Sequence, residues 1–293
     1  MLLTNTHFAS QRPTVAQVAA GVQYLPSAPH VLPQLYTLLR VGEPTLQQAA
    51  ALLRLDPGLT ARVLQLGNQR GAARGEHCFG VEDAINAIGF ETIRTMVERV
   101  ADEQIFARPL SLYGLDAEEF WRSSISCALA AEMLAQITGE DADMAYLVGL
   151  LHGAGMVAID QAVAEFEPTL TFAPRTFPRE FADAERAFLG FTHAEVGATL
   201  LRAWSFPVTI IEPVRWQHAP LGSSGYARMA CLLHAAKWLR AVVCADEEAA
   251  GSPLPASVIL QPLRMTPEKL ARLVVELRLK LGSVRNLVEF LAA

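Results

Sequence analysis

Three histidines, His152, His193 and His218, give this chain its main opportunity for chemistry. Three imidazoles can hold a divalent metal while leaving a coordination position open. A metal so held lowers the pKa of a bound water and neutralises charge on a phosphoryl group. Each histidine also has a structural account. His152 falls in the longest uncharged stretch, Met144 to Ile159, where a hydrogen-bonded core imidazole is the simpler role. His193 follows Thr192 in the first turn of a capped helix, where its ring can bond to neighbouring backbone. His218 sits at a helix end, where the dipole favours a cationic ring. Ser123 with His152 and an acid would make a nucleophilic triad, but no helical spacing supports it, and Ser123-Ser124 reads as a small polar face. Cys127 has only Arg122 nearby to activate it and reads as a buried thiol. Gly149, Gly153 and Gly155 form neither a Walker loop nor a GxGxxG turn and read as sites of close helix packing.

The elements that must position these residues are helices. Thr45 with Gln48, Asp116 with Glu119 and Thr192 with Glu195 are capping boxes, and Asp56-Pro57 sets an N-cap before a proline at the first helical position. A long helix is expected from Asp116 to about Ile137 and another from Ala142 to about Val163. Further helices follow from Thr192 to Trp204, from Pro207, from about Ser224 to Cys244, from Thr266, and a short one from Ser283. No stretch alternates as a strand does. The expected fold is all-α and two-lobed: an N-terminal lobe over residues 14–110, a second lobe over 111–245, and a linker with C-terminal helices over 246–293.

Apolar residues make up 52% of the 293 and charged residues 18%, so a membrane span has to be tested. The uncharged stretch reads as too short to cross a bilayer and as a buried core helix. The first residues lack a basic segment followed by an apolar run. No membrane association and a cytoplasmic location are expected. Cys78, Cys127, Cys231 and Cys244 form no CxxC pair and read as free thiols. A formal charge of −6 without a Lys/Arg run disfavours non-specific nucleic-acid binding. Arg62, Arg70 and Arg74, near an expected loop at Gly71 to Gly75, are the candidate anion contact. Trp121, Trp204, Trp216 and Trp238 invite a base-stacking role, against which stands ordinary core packing.

Six stretches in order resemble the HD-related output domain (HDOD) family, whose relatives include metal-dependent HD phosphohydrolases. They are Leu25 to Pro29; Leu55 to Asn68, similar to "DPxLTARLLxLAN"; Val81 to Gly89; Phe120 to Ser124, similar to "lWrHS"; Ala145 to Met156, where the family often has "GLLHDIGK"; and Glu185 to Trp204. The resemblance covers roughly residues 25 to 245.

That resemblance implies where an HD metal would sit. The ligand positions fall on Ser123, on His152 and Gly153 in place of the His-Asp doublet, and on Lys237 in the late helix. One ligand of four remains. Glycine has nothing to ligate with, and an ammonium repels a metal unless neutralised. The resemblance therefore implies a degenerate site with no metal and no cofactor. The chain would be a non-catalytic regulatory protein that transduces signals by contacting signalling partners, with a groove near Leu110 to Asp116 as their place. Two alternatives stay open. One is a residual metal-dependent phosphodiesterase using His152, His193 and His218. The other is a nucleotide or single-stranded nucleic-acid binder with Lys237 as an anion contact.

Overall fold

The computed structural model describes residues 13–23, 25–28, 31–41, 44–71, 75–103, 108–164, 167, 169–172, 179–244 and 253–292. Among them the regular elements are helices, and Leu110 and Leu115 form an isolated bridge. The fold is all-α, as the periodicity requires.

Among the described residues the N-terminal lobe holds α2 (Leu32–Val41), α3 (Leu46–Arg54), α4 (Pro57–Gly71), α5 (Val81–Ile88) and α6 (Phe90–Asp102). The second lobe holds α7 (Ala117–Thr138), α8 (Ala142–Leu151), α9 (Ala154–Ala164), α10 (Arg179–Leu189), α11 (His193–Ala203), α12 (Val208–Arg215) and α13 (Ala227–Cys244). The short α1 (Val15–Ala20) precedes both, and α14 (Ser257–Leu260) and α15 (Pro267–Ala292) close the chain. A boundary at residue 14 assigns α1 to the first lobe, but its contacts are with α9 and α11 of the second. Val18 and Ala19 are the apolar face that drives this, both buried there.

Local sequence explains the helix starts. Thr45 and Asp116 close reciprocal capping boxes with Gln48 and Glu119, and the Glu195 carboxylate accepts from Thr192 N–H at 2.8 Å. Asp56 does more than cap α4. It accepts from Leu59 N–H at 2.8 Å and Ala28 N–H at 2.7 Å, and from the Ser27 hydroxyl, so it ties the 25–28 segment onto the helix start. Burial pushes its carboxyl up to about 6, against the pull of those donors.

Two expected helices are altered. The single helix from Ala142 to Val163 breaks at His152-Gly153. There His152 Nδ1 meets the Gly149 carbonyl at 2.6 Å, and Gln217 Nε2 donates to the His152 carbonyl at 3.0 Å. Side chains thus satisfy two carbonyls that a continuous helix would pair with its own N–H groups. At the other end, Ser283 starts no new helix. Its hydroxyl bonds back to Leu279 O at 3.1 Å, and α15 runs on to Ala292.

The lobes meet where α4 packs on α7 and α8. Arg54 pairs with Glu132 at 2.6 Å and Asp143 at 2.8 Å and lies 4.0 Å from the centre of the Tyr146 ring. The Trp121 indole donates to Leu55 O at 2.7 Å, and Tyr146 donates to Arg54 O at the same distance. The 142–164 stretch is long and apolar enough to cross a membrane by length and composition, and its apolar window is 83% buried inside the fold. Cys78, Cys127, Cys231 and Cys244 are free thiols.

Candidate functional site

The break between α8 and α9 turns His152 into the interior of the second lobe, facing α13. Arg240 Nη1, from the last turns of α13, lies 3.1 Å from His152 Nε2 and 2.7 Å from Ser123 Oγ of α7. One turn earlier Lys237 donates to Gln217 Oε1 at 2.6 Å, and Gln217 returns a bond to the His152 carbonyl. Lys237 and Arg240 are 5% and 6% exposed. Helix α13 thus brings two cations onto the positions implied for metal ligands.

Electrostatics fix the protonation of this cluster. Burial, reinforced by Arg240 and Lys237, holds His152 well below the usual imidazole range. A neutral ring with its Nδ1–H on Gly149 O leaves Nε2 as an acceptor, which is what the Arg240 guanidinium requires. Burial and then Lys237 hold His218 down as well. Lys237 is itself lowered to about 7 by burial and by Arg240.

His193 and His218 form a second group beside the first. Their Nε2 atoms are 3.1 Å apart and their rings cross edge to face. Glu185 of α10, fully buried, holds His193 by accepting from its backbone N–H at 2.7 Å and from Nδ1 at 2.8 Å. The same carboxylate accepts from the Tyr113 hydroxyl at 2.6 Å. Glu185 takes Nδ1–H of His193, and of the two facing Nε2 atoms one donates to the other.

The donor set does not fit an HD-type metal. Ser123 Oγ and His152 Nε2 are engaged by a guanidinium, Gly153 carries no ligand, and Lys237 adds a second cation. Among the described residues, no group of three or more His, Cys, Asp or Glu side chains converges as a metal site. His152 Nε2 is turned to Arg240, while the Nε2 atoms of His193 and His218 face each other.

Other expectations shift too. Much of the region from Leu110 to Asp116 packs inward: Leu110 and Leu112 are buried, Tyr113 is fully buried, and Phe172 N–H bonds to Leu112 O at 2.6 Å. Aromatic side chains fill it, since Phe172 and Phe181 pack edge-on against Tyr113. A cleft of about 410 Å³ lies instead between α4 and α6, lined by Leu59, Leu66, Met96, Val100, Arg62 and Arg99. Arg62 and Arg70 belong to α4, not to a loop; Arg70 Nη1 donates to Ile88 O at 3.2 Å and Arg62 Nη1 to Gln65 at 2.8 Å. Arg74 lies outside the described residues. Trp204 is buried, and the Trp121 and Trp216 indoles bond to Leu55 O and Glu212.

Arg240, Gln217 and Glu185 were not singled out by sequence. Arg240 had a usable signal: it is three residues from Lys237, hence on the same face of the late helix.

Replacing Lys237 by methionine is expected to stabilise the protein in chloride buffer at pH 7 by ~1–4 kcal/mol, the range found when buried charges give way to apolar side chains. The pH dependence follows from the lowered pKa. Between about 7 and the ordinary lysine value the unfolded chain holds a proton that the native chain has released, so native stability falls as pH drops through this window. The methionine advantage should be full below pH 7 and shrink as pH approaches 10. Urea unfolding of both proteins at pH 6, 8 and 10 tests this, and a gap that widens with pH would refute it.

The sequence model of the HDOD domain matches residues 25–220. Among solved structures, the MmoQ response regulator from Methylococcus capsulatus is 23% identical, with 86% of this chain and 98% of that chain aligned at a TM-score of 0.65. A virulence factor from Campylobacter jejuni is 22% identical, with 78% and 81% aligned at a TM-score of 0.59. No curated protein matches the sequence.

Proposed function

This chain belongs to the HDOD domain family, and from that premise we propose that it is a signal-transduction protein that has given up HD-type hydrolysis and acts by contacting protein partners in the cytoplasm. One observation carries the loss of hydrolysis: Arg240 Nη1 bonds both Ser123 Oγ and His152 Nε2. A guanidinium there does part of a metal's work, since it gives the two side chains a cation to bind. It cannot lower the pKa of a water or open a coordination position. The response-regulator name of the MmoQ structure agrees with a signalling role.

Elemental mass spectrometry and phosphodiester turnover test the reading together. Protein purified without chelators or metal resin should hold no stoichiometric manganese, iron or zinc. It should not hydrolyse bis(p-nitrophenyl) phosphate faster when those metals are added. Metal-dependent turnover lost in His152→Ala and in His193→Ala would refute it. A second reading has its own observation: facing Nε2 atoms 3.1 Å apart, with Glu185 on the far nitrogen of His193, could take one metal between two imidazoles. It predicts a metal ratio near one that falls in His218→Ala and stays in His152→Ala.

A further inference from the structure

The cleft between α4 and α6 has a volume of about 410 Å³, within the range of small-ligand pockets. Part of its wall is held by backbone. Leu25, Ser27, Gly58 and Leu59 all line it, and a Cβ on Gly58 would lie 2.6 Å from Pro26 O and 2.7 Å from Leu25 O. The 25–28 segment therefore rests directly on the start of α4, where Asp56 ties it through Ser27 and Ala28. The polar side chains of the lining are already bonded within the protein. The Ser27 hydroxyl donates to Asp56, Thr92 to Ile88 O at 2.7 Å and Thr95 to Glu91 O at 3.0 Å. Arg62 bonds Gln65 at 2.8 Å, Arg99 pairs with Glu103 at 2.6 Å, and Glu91 pairs with Arg94 at 3.2 Å. Among the described lining residues two arginines and two glutamates cancel in charge.

We propose that this cleft binds an uncharged, largely apolar small molecule, seated on Leu59, Leu66, Met96 and Val100. A charged ligand would give up its hydration for groups that already have partners, which costs free energy. An apolar one gains by leaving water for the apolar lining of Leu25, Leu59, Leu66, Met96 and Val100. Size sets the class of occupant. One turn of helix, 10–12 Å across and 5.4 Å long, fills roughly 400–600 Å³, so the cleft has no room for a longer helical segment. An apolar cavity of about 150 Å³ takes benzene; this one suits two or three rings, or a chain of similar bulk. The site stands or falls apart from the non-hydrolytic reading, because Ser123, His152, Lys237 and Arg240 do not line it.

The test is fluorescence titration of the full chain with N-phenyl-1-naphthylamine, an uncharged three-ring probe that brightens in apolar surroundings. One saturable site is expected, with 1-decanol displacing the probe and decanoate at least ~10-fold weaker as a competitor. Leu66→Trp, which fills the cleft from α4, should weaken the probe at least ~10-fold. If that variant fails to fold, Val100→Trp fills the cleft from α6 and carries the test. Val275→Ser and Leu279→Ser remove the most exposed apolar side chains of α15 and should bind as the parent does. Folded parent protein without a saturable site would overturn the proposal, as would binding unchanged in the folded tryptophan variants. Decanoate competing as well as 1-decanol would overturn the uncharged class. Displacement by a peptide of residues 267–284, an amphipathic helix of this chain, but not by 1-decanol would make the cleft a docking face for a second copy and overturn the small-molecule reading.

Discussion

Gly155→Ala is expected to destabilise the fold by more than ~3 kcal/mol, beyond the usual range for one added methyl group. Helices α9 and α11 cross backbone on backbone at this point. A Cβ at 155 would lie 1.9 Å from His193 O and 2.6 Å from Gly197 N. Neither atom can rotate aside as a side chain would, so the helices must separate. Separation would pull His193 from Glu185 and open the packing around the two site groups. Gly197 supplies the control, because a Cβ there meets Gly155 N at 3.3 Å and Val214 Cγ1 at 3.5 Å. Gly197→Ala should therefore cost less than ~1.5 kcal/mol, within the range of tolerated core changes. Urea unfolding of the two variants should give a much lower midpoint for Gly155→Ala with little change in slope. Equal, small effects would mean that the crossing is looser than the structure has it.

This contrast also marks what the sequence could and could not tell. Glycines in an apolar helix announce close packing, and the structure places Gly149 against Cys127 O and Ala128, and Gly155 against α11. Capping boxes announce where helices begin, because the signal is local: donor and acceptor lie three residues apart. The break at His152 was hidden because it depends on Gln217, 65 residues away, and on a histidine bonding its own preceding turn. The final helix was split in advance at Ser283, because a serine that bonds back to its i−4 carbonyl looks in sequence like a cap.

The site was legible as a loss and obscure as a replacement. At the ligand positions that the family resemblance implies, Ser123 and Gly153 stand where a histidine and an aspartate are expected. What took over the vacated electrostatics depends on which face of α13 looks inward, and a single aligned position named Lys237 without its neighbour Arg240. Likewise Tyr113 falls in the Leu110 to Asp116 segment that is expected to form a groove. Its ring is instead fully buried and its hydroxyl is bound by Glu185.

Glu185→Ala follows from that last contact and is expected to cost ~3–5 kcal/mol, the range for removing one partner of a buried charged network. The carboxylate has no solvent exposure and serves three donors: the Tyr113 hydroxyl, the His193 backbone N–H and His193 Nδ1. Alanine leaves all three without an acceptor in a site closed to water, and each orphaned group costs on the order of 1–3 kcal/mol. It also removes the carboxylate that acts on Lys237, leaving the cations of α13 less compensated. Glu185→Gln keeps one acceptor oxygen and should lose less, ~1–3 kcal/mol. Tyr113→Phe deletes a donor while Glu185 keeps its bonds to His193, so ~0.5–1.5 kcal/mol is expected. The decisive reading is the order of the three midpoints in urea. Glu185→Ala lowest and Tyr113→Phe highest would place the carboxylate at the centre of the network. If Tyr113→Phe proved as damaging as Glu185→Ala, the burial of the ring, and not the carboxylate, would be what holds α10 to the site.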